Sequence, residues 1–105
     1  MAVLLLPQTE PGKQASGDLD VHNTGLQWAE GLRLWCPALV GAGGERIDGH
    51  HVTFHPAVLN VASWQAGRVH VTVDVPSSTR RGRYTGLVEA SGVHGSWCVL
   101  SVNVN

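Results

Sequence analysis

Charge is scarce in this chain. Asp, Glu, Lys and Arg make up 14% of its 105 residues and leave a formal net charge of −1. So small a charge generates no long-range field, which argues against nonspecific nucleic-acid or anionic-membrane partners. Long apolar runs are missing too. The run from Ala2 to Leu6 is closed by Pro7 and is too short for a signal-peptide core or a membrane span, so the chain is expected to be cytoplasmic. Two cysteines are too few for a disulfide framework. No stretch sustains a 3.6-residue apolar period with caps, so helix content is expected to be close to zero. Catalytic signatures are equally thin. No Gly-x-Ser-x-Gly elbow is present, and Gly41-Ala42-Gly43-Gly44 lacks the Lys-Ser/Thr of a phosphate loop and reads as a hairpin turn. The expectation is a protein that is not an enzyme and uses no cofactor.

What is present is valine, fifteen times, set in alternation. From 69 to 75 every odd position is Val, while His70, Thr72 and Asp74 fill the even ones, the period-2 signature of a strand with one buried and one wet face. Pro76 ends that strand, and 77–82 is a polar connection. A second strand follows from about Arg83 to Ala90, with Tyr84, Gly86, Val88 and Ala90 on one face. Tyr84 stands at its entry, where its hydroxyl can bond back to the corner backbone as a tyrosine corner does.

The same reading places strands at 2–6, at an edge, at 14–22 with Ala15, Gly17, Leu19 and Val21 inward, and at 31–40 with Leu32, Leu34 and Cys36 opposite Arg33 and Trp35. It adds strands at 51–55 with Val52 and Phe54 inward, at 58–62, and at 97–104 with Cys98, Leu100, Val102 and Val104 inward. Asn23-Thr24-Gly25 and 64–67 are turns. Seven to eight short strands with turn signals between them predict one all-β domain over 1–105, an immunoglobulin-like antiparallel β-sandwich. Its predicted core is Leu19, Val21, Leu32, Leu34, Phe54, Val71, Val73, Tyr84, Val88, Leu100 and Val102. Cys36 and Cys98 lie on core faces sixty-two residues apart. Spacing alone does not pair them, and in a cytosolic protein they read as buried reduced thiols, with an inter-sheet disulfide as the alternative.

The punctuation Asn23-x-Gly25, Val52-x-Phe54-x-Pro56, Val73-x-Val75-Pro76 and Gly82-x-Tyr84-x-Gly86 resembles the immunoglobulin-like accessory modules of bacterial proteins, the type associated with NPCBM carbohydrate-binding regions of glycosidases. The resemblance covers roughly 10–105. It implies a non-catalytic spacer or contact surface beside another domain, with no catalytic residues to carry over.

Candidate chemistry is sparse. His50, His51 and His55 form the densest histidine cluster, but on a strand the first two point to opposite faces, and His51 and His55 stand about 13 Å apart at ~3.3 Å per residue. A metal would need His22, His70 or His94 brought across a sheet, so no metal is assigned. Asp18 and Asp20 share a wet strand face, where nothing prepares either for acid chemistry. Arg80, Arg81 and Arg83 cluster at the corner, where guanidinium groups can fork onto carboxylates or phosphates. Of the four tryptophans, Trp28 and Trp64 sit in connections, and Trp35 and Trp97 alternate away from the core. Tryptophan is enriched at binding hot spots. The candidate surface is therefore Trp35, Trp97, Arg80, Arg81 and Arg83. The function read from it is a non-catalytic accessory or adaptor domain that binds another protein, including a second copy of itself, through a sheet face or an edge strand. The alternatives are a carbohydrate-binding module and a sandwich that binds a small ligand or metal.

Overall fold

A computed structural model of the protein describes residues 2–23, 25–26, 29–91 and 96–105. Eleven strands account for most of them: β1 (Ala2–Leu5), β2 (Gln14–His22), β3 (Ala29–Leu32), β4 (Leu34–Trp35), β5 (Ala38–Gly41), β6 (Arg46–Asp48), β7 (Val52–His55), β8 (Leu59–Val61), β9 (Ala66–Asp74), β10 (Gly82–Ala90) and β11 (Ser96–Val104). They form a larger sheet in the order β1-β11-β10-β5-β6, with β4 also on β10, a smaller sheet β2-β9-β7, and a ribbon β3-β8. The pairing is antiparallel except at β1, which runs parallel to β11 with Ala2 opposite Cys98 and Leu5 opposite Ser101.

The alternation along β9 does what its period requires. Val69, Val71, Val73 and the following Val75 are buried; beside Leu19 and Val21 of the neighbouring β2 they join the inner residues of the larger sheet in one core cluster. Of the eleven predicted core residues, ten are buried. Phe54 is the exception: it is half-buried and packs on the rim of the core. Its strand β7 is a four-residue edge of the smaller sheet that stops before Pro56, so no further strand covers its outer flank.

Three other departures concern the middle of the chain. The predicted strand 31–40 is three pieces, broken at Arg33 and at Cys36–Pro37; β3, with Gly31 (φ 65°) at an irregularity in its register, pairs with β8, while β4 and β5 pair with β10 in the larger sheet. Leu32, Leu34 and Cys36 nevertheless share the buried side as predicted. The glycine-rich 41–44 segment is the hairpin expected, but it leads into β6, a strand absent from the sequence reading, which buries Ile47 against Leu39. His50 and His51 lie on no strand. Gly49–His51 is a 3₁₀ turn, and the two imidazole rings do not point apart but meet in a tilted contact, with centroids 4.0 Å from each other and planes inclined by 39°.

At the corner the expected tyrosine bond forms. The Tyr84 hydroxyl donates to the Arg80 carbonyl at 2.8 Å, and Tyr84 is buried. Cys36 and Cys98 are both buried and carry free thiols, each pushed above its ordinary ionisation range chiefly by burial.

Candidate interaction surface

The two sheets present outer faces of opposite character. On the smaller sheet, β2, β9 and β7 align Asp18 with His70 and His70 with His55. His70 Nδ1 lies 2.9 Å from an Asp18 carboxylate oxygen, and Arg68 Nε donates to Asp20 at 3.1 Å. Ser16, Thr72 and Thr53 fill the next row. Polar side chains that satisfy one another in this way make a solvated face. Two histidines do meet across strands here, yet among the described residues no three His, Cys, Asp or Glu side chains gather closely enough to hold a metal ion.

The outer face of the larger sheet is apolar. Val3, Val99 and Leu87 stand in one row across β1, β11 and β10, and Leu5, Ser101, Thr85 and Val40 stand in the next, which reaches β5. Val3, Leu5, Leu87 and Val40, with Trp35 of β4, are 44 to 67% exposed. A single exposed aliphatic residue is ordinary, but several on β1, β10 and β5, in rows joined through Val99 and Ser101 of β11, mark a contact surface.

The sequence candidates fall around this patch. Trp35 lies on it, opposite Glu89 of β10. Trp97 is the extra residue at a β-bulge where the register passes from Val88↔Cys98 to Glu89↔Ser96; its side chain lies outside the described residues, as do Trp28 and His94. Arg83 lies on the same face at the other end of β10, and its Nε donates to Asn103 at 3.3 Å. Arg80 and Arg81 belong to the connection before β10; both are exposed, and Arg80 stands 3.9 Å from a Glu45 carboxylate oxygen. The tryptophan and arginine candidates are therefore not one cluster. Trp35 and Arg83 are separated by the run 83–89, about 20 Å of strand. Between them lie Leu87, Val99, Val40, Val3 and Leu5, which sequence reasoning missed. The available signal was apolar residues on both alternating faces of 2–6, 83–90 and 97–104.

The edges offer less. β1, β6 and β7 have four residues or fewer, and β2, the nine-residue edge, carries Asp18 and Asp20. Short or charged edges resist strand addition.

No protein-family model matches the chain, and no curated protein matches it by sequence. Solved structures match throughout its length. The ASH/PapD-like domain 7 of human CEP192 superposes with a TM-score of 0.63 at 21% identity, over 98% of this chain and 80% of that one. The fold is an immunoglobulin-like β-sandwich. This sandwich also matches part of a family 123 glycoside hydrolase from Clostridium perfringens, with a TM-score of 0.77 at 12% identity, spanning 100% of this chain but only 23% of the hydrolase. A third match is the periplasmic chaperone SfaE, with a TM-score of 0.50 at 13% identity, over 93% of this chain and 54% of the chaperone. Identities this low show an immunoglobulin-like sandwich and nothing of its ligand.

Proposed function

We propose that the chain is a non-catalytic protein-interaction domain that docks on a folded protein surface through the outer face of its larger sheet. The observation that carries this reading is the pair of rows Val3–Val99–Leu87 and Leu5–Ser101–Thr85–Val40, in which Val3, Leu5, Leu87 and Val40 are exposed, set against a polar face on the other sheet. A contact of this kind removes apolar surface from water and requires no reacting group. The match to a fraction of a glycoside hydrolase supports an accessory role of the kind that the NPCBM-associated resemblance implies, and the match to a chaperone shows the fold in a protein that handles other proteins. A cytoplasmic setting belongs to the same proposal and suits two free, buried thiols.

The test is a photo-crosslinker placed in source cells at Thr85, on the apolar face, or at Thr72, on the polar face. Protein adducts are expected from position 85 and not from 72. Absence of protein adducts from 85, together with a reproducible hit on a glycan array, would replace this reading with carbohydrate binding.

A further inference from the structure

The charges that frame the apolar face obey a symmetry. Along β10 the outward residues are Arg83, Thr85, Leu87 and Glu89, positive at one end and negative at the other. Along β6 they are Arg46 and Asp48, paired respectively with Val40 and Ala38 of β5. Arg46 therefore continues the Leu5–Ser101–Thr85–Val40 row, while Asp48 lies two residues along, on the side of the Val3–Val99–Leu87 row. A two-fold axis lying in the plane of contact, across the strands and between these two rows, lays one copy of the face on another with strands reversed. Under that operation Arg83 lies over Glu89 of the other copy, Arg46 over Asp48, and Leu5 over Val3. Every framing charge on these two strands meets its opposite, and the centre is aliphatic.

We infer that the partner of this face is a second copy of the chain, in an isologous face-to-face dimer. The inference rests on the proposed role of the face as a protein-contact surface. A C2 interface must be self-complementary, and a face carrying one sign of charge would repel its own copy. Two sheets stacked face to face keep their strands within about 30° of alignment, so long arginine side chains can span the residual offset. The size of the face sets the strength. Five strands at about 4.8 Å spacing by three row steps of about 6.7 Å give roughly 400 Å² per copy. Over both copies that is about 800 Å², below the range of stable specific interfaces and in that of transient ones, so association is expected to be weak, with Kd in the micromolar range or above, and reversible on dilution.

The experiment is sedimentation velocity of the purified chain over a concentration series reaching millimolar, with Arg83→Glu, Glu89→Arg and an equimolar mixture of the two variants. The wild type is expected to shift from monomer to dimer. Each single variant places like charges together at both symmetry-related contacts and should weaken dimerisation about ten-fold. The mixture should recover the wild-type affinity, because in the heterodimer the carboxylate introduced at position 83 of one chain meets the guanidinium introduced at position 89 of the other only if those two positions lie over each other. A monomer at every concentration, or a dimer indifferent to both variants and to their mixing, overturns the inference. If Thr85 still crosslinks to a different protein in cells, only the second-copy inference falls and the contact face stands; if Thr85 captures nothing, both fall.

Discussion

Tyr84 shows how much one side chain can fix. Its ring is buried beneath the corner, its hydroxyl ties the entry of β10 to the Arg80 carbonyl, and its ionisation is pushed above the ordinary value of 10.0. Burial is the main cause; the negative charge of Glu45 adds to it, and Arg80 opposes it. Because the folded state disfavours phenolate, the stability that this residue contributes is full below about pH 10 and is lost as pH rises from there through the raised folded value. Tyr84→Phe should cost about 1 kcal/mol at neutral pH through the lost hydrogen bond. It should also flatten the alkaline part of the stability curve, which urea titrations at pH 8 and above would show. Gly86 is constrained by space. A Cβ there would run into the Ala38 carbonyl oxygen and come within 2.8 Å of Leu39 Cδ2 and 3.1 Å of Cys36 Sγ. Gly86→Ala should therefore destabilise by about 3 kcal/mol, seen as a lower denaturation midpoint, since the neighbouring backbone of β5 has to move. An unchanged midpoint would contradict the close β5–β10 approach.

At the scale of the element, the strands were legible wherever one face is buried and the other wet. Residues 69–75 and 14–22 alternate so cleanly that their register follows from the sequence alone, and Val71 and Thr72 provide its test. Val71→Asp places a charge in the core and should unfold the protein, while Thr72→Asp, on the outer face between Ser16 and Thr53, should cost about 1 kcal/mol or less by thermal melt. Comparable losses from both would refute the register. Legibility failed where alternation meets a break. After Leu32 the chain leaves the β3–β8 ribbon at Arg33 and joins the larger sheet, with a second break at Pro37, a change of partner that no local pattern records. The run 46–48 was too short to show a period, and His50 and His51 occupy one turn of 3₁₀ helix, which a period-2 reading does not distinguish from a strand end. The site suffered most. Leu87, Val99 and Val40 look like incidental outward residues within their own strands, and only the cross-strand register joins them to Val3 and Leu5. The tryptophan and arginine candidates stand out as residue types, and the structure places Trp35 and Arg83 at opposite ends of the surface they border.

The whole molecule is a rod of 44 × 20 × 19 Å, two sheets thick, with the outer faces of the two sheets on opposite sides. One is closed chemically by Asp18–His70 and Asp20–Arg68, and the other leaves aliphatic side chains in water. The exposed Trp64 stands apart from both, in the connection between β8 and β9. Association through the apolar face is read out by oxidative footprinting of the chain at high concentration or in source-cell extract, compared with dilute buffer. Protection is predicted at Trp35, Leu87 and Leu5, with Trp64 and His70 oxidised at the same rate in both conditions. Protection confined to Trp64 or to His70, with Trp35 and Leu87 unchanged, would contradict the account.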